Sequence, residues 1–155
     1  MKHIPALVFL AFISIAVAVN AEQLHRVDPN TQAETWETKA HGVTFSLTQI
    51  MPDQARAFYV NRGFTLEQIE PFATACIYMT VLRNDDAPAA IKYQLSDWYI
   101  KTGDDARPPL STADWMAQLK AESVKKPALI AFRWAQFPPE QEYEPGGDWN
   151  HGLVT

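Results

Sequence analysis

The chain has 155 residues, with 13 lysines and arginines against 18 aspartates and glutamates, and a formal net charge of −5 at pH 7. This acidic balance argues against nucleic acids and anionic membrane surfaces as partners, since both are bound through basic patches. Cys76 is the single cysteine, so an internal disulfide is excluded and stability must come from packing. Five tryptophans, five tyrosines and eight phenylalanines supply large side chains for a core.

Residues 1–21 have the features of a secretory signal peptide. A short polar start precedes an apolar run over residues 5–19, and Val19 and Ala21 occupy the −3 and −1 positions of a cleavage site. The run has about 15 residues, fewer than the roughly 20 that a membrane-spanning helix needs. We therefore predict cleavage after Ala21, a periplasmic or secreted protein, and no membrane span after cleavage. Retention as an uncleaved anchor is the alternative.

The remaining chain is expected to form an N-terminal arm and one domain. Residues 22–40 are polar and lack a hydrophobic period, which predicts an extended arm. Residues 41–155 are predicted to form a single domain around one hydrophobic core. Alternation of apolar and polar residues over 43–48 predicts the first strand of that domain.

Two short helical segments are predicted between residues 52 and 72. Pro52 precedes apolar residues at helical spacing, and Gly63 suits a C-terminal cap. Thr65 and Gln68 match a capping box that begins a second helix, and Pro71 limits the length of this helix.

Residues 75–100 are predicted to form an antiparallel hairpin. A segment rich in β-forming residues, 76–82, is followed by a cluster of turn residues at 83–88 and by a second alternating segment from Ile91. The phase of this alternation slips by one residue at Ser96, which is typical of a β-bulge.

The C-terminal third is predicted to hold a helix and two strands. Ser111 and Asp114 form a possible cap for a helix over 112–121. Residues 128–137 are apolar on both faces, a pattern typical of a central strand. An acidic loop then leads to a last short strand over 149–155.

Two stretches resemble passages of small exported immunoglobulin-like β-sandwich domains. Residues 80–95 are similar to their strand, turn and strand passage, and residues 141–154 resemble a closing segment in which a Pro-Gly turn precedes the last strand. The resemblance implies a mainly β fold, an antiparallel immunoglobulin-like sandwich, to which this chain adds two short helical insertions. It also implies a binding or envelope-assembly module rather than an enzyme, and it carries no functional residue across.

The acidic and aromatic loop over residues 137–151 is the predicted binding surface. Tyr143 and Trp149 flank the Pro-Gly turn and are expected to be partly exposed, with Asp148 beside them. Loops on a rigid scaffold commonly carry binding residues. The leading hypothesis is an exported, non-enzymatic accessory module of the bacterial envelope. It would bind an envelope protein or a small ligand without a cofactor, and the helical segment 52–65 is a further possible part of its binding surface.

A second hypothesis is periplasmic copper binding or delivery. Its candidate ligands are the thiol of Cys76, the thioethers of Met79 and Met51, and the imidazole of His41. The simpler interpretation is that Cys76 is a small core residue among apolar neighbours. In a strand, Cys76 and Met79 would point to opposite faces. A thiol that solvent reaches in the folded protein would favour the metal hypothesis.

The sequence offers no motif for catalysis. A nucleophile elbow, a zinc-binding His-Glu-x-x-His motif and glycine-rich phosphate loops are all missing from it. The acidic loops lack the alternating spacing of calcium ligands. A hydrolase built on paired carboxylates is a third possibility, supported only by the number of acids, and we expect a protein that is not an enzyme.

Overall fold

The computed structural model describes residues 21–155, which are mainly antiparallel β with four helices. The predicted signal peptide, apart from Ala21, lies outside the described residues. The strands are β1 (Glu22–Val27), β2 (Glu34–Ala40), β3 (Val43–Ile50), β4 (Ile77–Asn84), β5 (Ile91–Gln94), β6 (Ile100–Thr102), β7 (Asp105–Arg107), β8 (Glu140–Tyr143) and β9 (Asp148–Val154). The helices are α1 (Pro52–Val60), α2 (Leu66–Ala73), α3 (Thr112–Ala121) and α4 (Lys126–Ala135).

A five-stranded sheet in the order β1-β2-β3-β4-β9 forms the centre of the fold, and all its neighbouring strands are antiparallel. The first four strands form a meander into which α1 and α2 are inserted between β3 and β4. β9 returns from the end of the chain to lie beside β4. Strands β5 and β8 form a small second sheet, and β6 and β7 form a hairpin.

Each face of the main sheet carries its own hydrophobic cluster. The helices cover one face, where Ile77 of β4 and Leu153 of β9 pack against the buried aromatic rings of Tyr59, Phe72 and Phe132. On the other face, Leu82 and Val154 pack with aromatic residues of the small sheet and its neighbouring segments. Helices and a small sheet therefore lie on opposite sides of the same five strands.

The structure confirms the predicted helix caps. The Thr65 hydroxyl accepts a hydrogen bond from the Gln68 amide N–H (3.2 Å), and the Gln68 side-chain oxygen accepts one from the Thr65 N–H (3.0 Å). Ser111 and Asp114 form the same reciprocal pair at the start of α3. These bonds satisfy backbone N–H groups that the first turn of a helix leaves free.

The prediction of a central strand over residues 128–137 is wrong, because α4 occupies this segment. Pro127 stands in its first turn, where its missing N–H costs nothing. The buried residues Ala128, Leu129 and Phe132 recur at helical spacing. Exposed apolar residues between them concealed this period, since α4 also carries Ile130 and Trp134 on its outer side.

The predicted extended arm is also wrong, because residues 22–40 form β1 and β2 of the main sheet. Their polar composition suits strands near a sheet edge, where both faces are largely solvated. The predicted hairpin over residues 75–100 does not form either. β4 pairs with β3 and β9, whereas β5 pairs with β8. A 3-10 turn at Leu95–Asp97, rather than a β-bulge, interrupts the alternation.

The strand predictions at the start and at the end of the domain agree with the structure. The predicted strands over 43–48 and 149–155 correspond to β3 and β9. No helix within residues 21–155 is long and apolar enough to cross a membrane. The expected antiparallel β architecture is therefore present, with helices rather than strands covering one face of the main sheet.

Candidate functional site

The first candidate site is a groove of about 530 Å³ on the helix-bearing face of the main sheet. α1 and α4 form its walls, and strand residues that the two helices do not cover completely form its floor. We call it the α1–α4 groove. Its lining residues are Ile50, Gln54, Ala55, Phe58, Tyr59, Arg62, Met79, Ala131, Trp134, Ala135, His151 and Leu153.

Trp134 forms the most exposed part of the α4 wall. It follows the buried Phe132 by two positions, which places it about 200° around the helix axis and away from the core. Its side chain is 84% exposed. An indole in this position contributes nothing to the core, and exposed aromatic surface beside a groove is typical of a binding site.

Arg62 supplies a positive charge on the α1 side of the groove. Its guanidinium lies 3.4 Å from the centre of the Phe58 ring, and Nη1 donates a hydrogen bond to the Phe58 carbonyl (2.9 Å). Within residues 21–155 it forms no ion pair with a carboxylate. The cation–π contact fixes the guanidinium and leaves its other donors free for an anion.

The floor and walls of the groove are held by buried side chains. Tyr59 is fully buried among the rings of Phe64, Phe72 and Phe132. Its hydroxyl accepts a hydrogen bond of 3.1 Å from Nε2 of Gln136, which ties α1 to the end of α4. Burial raises the pKa of the Tyr59 phenol well above its ordinary value, so the group stays neutral. These contacts hold α1 and the end of α4 together beneath the groove.

A second groove, of about 690 Å³, lies on the opposite face of the sheet, and we call it the Tyr99 groove. Strand residues such as Leu47 and Tyr78 form its floor, and the segment from Trp98 to Arg107 forms one side. The Tyr99 ring is 71% exposed. This groove is the natural comparison for the first one, because it also combines aromatic surface with basic residues.

The predicted exposure of Tyr143 is wrong. Tyr143 is the last residue of β8, lies opposite Ile91 of β5, and is 1% exposed. Its ring stacks with that of Tyr93, with centroids 5.9 Å apart. The Tyr143 side chain points to the inward side of the small sheet because of its position in β8, and the Pro-Gly turn does not determine this direction. Tyr143 is therefore a core residue rather than an exposed residue of a binding loop.

Trp149 is exposed as predicted, at 52%, and lies on the helix-bearing face of the sheet. Its ring stacks on His151, a lining residue of the α1–α4 groove, at a centroid distance of 5.3 Å. Asp148 is exposed, and its carboxylate accepts a hydrogen bond from the Glu144 N–H (3.1 Å), which closes the turn. The geometry thus places Trp149 next to the groove and gives Asp148 a role in the turn.

The prediction that Cys76 is a core residue is wrong, because this cysteine is exposed. It lies between the end of α2 and the start of β4, at a position that the core does not cover. Cys76 borders the Tyr99 groove, whereas Met79 lines the α1–α4 groove on the other face. The two residues therefore line grooves on different sides of the sheet.

The four candidate copper ligands do not come together. Met51 and Cys76 flank the paired residues Ile50 and Ile77, but His41 lies in the turn before Val43 at the other end of β3. β3 has eight residues, so its two ends lie on the order of 20 Å apart. Nowhere in residues 21–155 do three or more His, Cys, Asp or Glu side chains form a group that could hold a metal ion.

The predicted binding surface includes Phe58 and Arg62 only as part of the helical segment 52–65, without a role of their own. It omits Trp134, because the apolar pattern of residues 128–137 predicts a strand. The helical spacing of Phe58 and Arg62 is the signal that could have identified these two residues.

Comparisons of this chain with protein-family models, with curated proteins and with solved structures found no match.

Proposed function

We propose that this protein is an exported, non-catalytic binding module that takes up a small amphipathic molecule in the α1–α4 groove. The expected ligand has a flat aromatic or apolar body and one anionic group. The observation that carries the proposal is the pairing of an exposed indole, Trp134, on one wall with a guanidinium, Arg62, on the other, and the Arg62 charge lacks a carboxylate partner within residues 21–155.

The size and surface of the groove fit such a ligand. A volume of about 530 Å³ lies within the range of small-molecule sites, which are mostly apolar with a few placed polar groups. Trp134 and Phe58 offer ring faces for stacking, and Arg62 offers N–H donors for a carboxylate or sulfonate. The net charge of −5 disfavours polyanions but leaves this local cation available to a single anionic group.

The same proposal includes export of the protein and its resemblance to immunoglobulin-like domains. Export is supported by the apolar run and the small residues Val19 and Ala21. The antiparallel sheet supports a β-rich module, and the resemblance of residues 80–95 and 141–154 to immunoglobulin-like domains suggests an accessory role in the bacterial envelope. In the envelope, the groove would meet small molecules outside the cytoplasm.

The ligand proposal can be tested with 8-anilinonaphthalene-1-sulfonate, an aromatic sulfonate whose fluorescence rises in apolar sites. We expect saturable binding to the native protein. Trp134→Ala and Arg62→Gln should each weaken it about threefold to tenfold, because each removes one stacking or charged contact. Tyr99→Ala removes an aromatic ring of similar exposure from the other groove and should leave the affinity unchanged.

Two results would overturn the assignment of this groove. One is loss of binding in Tyr99→Ala with full binding in Trp134→Ala, which would place the probe in the Tyr99 groove. The other is no saturable binding to the native protein. Thermal melts of each variant, followed by circular dichroism, separate loss of the contact from loss of the fold.

Export can be tested through the intact mass of the protein recovered from the periplasm of an expressing bacterium. The expected chain begins at Glu22. Ala21→Phe should block cleavage, because a large side chain does not fit at the −1 position, whereas Ala21→Ser should be processed normally. Recovery of an uncleaved chain from the cytoplasm alone would refute export.

A further inference from the structure

We propose that two copies of this chain associate edge to edge through β1, so that their main sheets join into one antiparallel sheet with Leu24 on the two-fold axis. β1 is the outermost strand of the main sheet, and within residues 21–155 no strand pairs with its outer edge. All six of its residues are exposed. It contains neither proline nor a bulge, two of the devices that commonly prevent such an edge from pairing.

The charges on β1 fit one self-pairing register. If Leu24 lies opposite Leu24 of the second copy, Glu22 of each copy lies opposite Arg26 of the other, and the two-fold axis produces this pair twice. Directly opposed side chains of antiparallel strands lie about 5 Å apart, within reach of an ion pair. A slip by one residue would place Glu22 opposite Val27 and lose both pairs, so the charges select the register.

Both charged residues are available for this contact. Within residues 21–155, neither Glu22 nor Arg26 forms an ion pair. Lys39, which lies opposite Glu22 on β2, pairs instead with Glu37 at 3.3 Å. Leu24 is 42% exposed between the two charges, so its apolar surface would be covered in the pair.

The edge is held in a pairing conformation before any partner arrives. His25 stacks on Trp36 of β2, with ring centroids 5.3 Å apart, and its Nε2 is hydrogen-bonded to the Glu34 carboxylate at 2.7 Å. Because the backbone of β1 is already extended, little conformational entropy is lost when a second copy binds. The pairing surface itself is small, so we expect a reversible dimer.

This contact is independent of the proposed ligand site. The floor of the α1–α4 groove includes Met79 of β4, and two strands separate β4 from β1. A dimer through β1 therefore leaves both grooves open. If the protein does not dimerise, the ligand proposal is unaffected. If the α1–α4 groove binds no ligand, the dimer proposal is unaffected.

Charge exchange tests the register in the purified protein by sedimentation velocity over a concentration series. Glu22→Arg and Arg26→Glu should each raise the dimer dissociation constant about tenfold or more, because each creates two like-charge pairs. The double variant Glu22→Arg/Arg26→Glu should dimerise like the original chain. A chain that is monomeric at all concentrations, or a double variant as weak as the single ones, would overturn the proposal.

Cross-linking gives a second measurement, made in a Cys76→Ser background to remove the exposed native thiol. Leu24→Cys should form a disulfide-linked dimer on mild oxidation, because the two-fold axis brings both copies of this position together. Val27→Cys is the control on the same strand. In the proposed register its two copies lie on the order of 20 Å apart, too far for a disulfide. Equal cross-linking of both variants would contradict the register.

Discussion

The side-chain amide of Asn84 donates a hydrogen bond of 2.9 Å to the main-chain carbonyl of Tyr143, and so joins β4 of the main sheet to β8 of the small sheet. The same amide donates to the Ala89 carbonyl, and its oxygen accepts from the Ala87 N–H. Asn84 is fully buried. One side chain therefore holds both the loop after β4 and the strand that precedes β9.

Asn84→Ala should lower the free energy of unfolding by at least about 2 kcal/mol, because it removes three hydrogen bonds, two of them in a buried site. Urea denaturation measures this loss. Asn30→Ala is the control, since the Asn30 side chain is exposed and forms no hydrogen bond with other residues of the described range. Equal stability of the two variants would show that the bonds of Asn84 do not hold the two sheets together.

Asp85 predicts a dependence of stability on pH. Hydrogen bonding from the Thr44 hydroxyl (2.6 Å), and secondly pairing with Arg83, hold the pKa of the Asp85 carboxyl below its ordinary value. A carboxyl whose pKa is lowered by folding stabilises the native state at pH values above the pKa of the same group in the unfolded chain, which is near 3.9. This contribution is lost as the pH falls through the lower pKa of the folded state.

Substitution should reveal the order of these two causes. Thr44→Val should raise the pKa of Asp85 towards its ordinary value, and Arg83→Gln should raise it by less. The carboxyl carbon of Asp85 can be followed by NMR through an acid titration. A pKa that does not change in Thr44→Val would show that the hydroxyl does not stabilise the carboxylate.

The features that the sequence predicted correctly depend on residues that are close together along the chain. The capping boxes at Thr65 and Ser111 depend on residues three positions apart, and both are present. The strand at 43–48 depends on alternation within one segment. Such patterns are decided locally, so neighbours in sequence carry enough information to identify them.

The features that the sequence did not predict depend on distant pairing. Tyr143 is buried because β8 pairs with β5, a partner about 50 residues earlier, and no local pattern around Tyr143 records this. Trp134 was misplaced because exposed apolar residues concealed the helical period of α4. The groove it forms needs α1, α4 and β9 together, which no single segment reveals.

Cys76 should react with a thiol reagent in the native protein without denaturant, because it is exposed. Cys76 is the single cysteine of the chain, so Cys76→Ser should abolish the reaction completely. The same substitution should change stability by less than about 0.5 kcal/mol, as expected at a surface site. A thiol that reacts only after unfolding would contradict the position of Cys76 at the edge of the Tyr99 groove.

Gly152→Ala should be among the most damaging single changes in this chain. A Cβ at this position would lie 2.3 Å from the Phe137 nitrogen, a distance that requires the backbone to move. The Phe137 N–H donates to the Leu153 carbonyl at 3.0 Å, so the end of α4 and β9 are held against each other here. We expect a loss of about 3 kcal/mol or more, measured by urea denaturation.

Gly103→Ala is the control for this glycine, because a Cβ there meets no atom within 4 Å. Its positive φ of 62° makes a loss of about 1 to 2 kcal/mol in the free energy of unfolding the expected result.

Gly152 lies between His151 and Leu153, both of which line the α1–α4 groove. Any Gly152→Ala protein that still folds must move the backbone of Gln136 and Phe137, directly after α4, away from β9. Because this segment continues from α4, the shift should widen the α1–α4 groove, so the variant should bind 8-anilinonaphthalene-1-sulfonate less tightly than Gly103→Ala does. Equal affinity in the two variants would show that the contact between Gly152 and Phe137 does not determine the width of the groove.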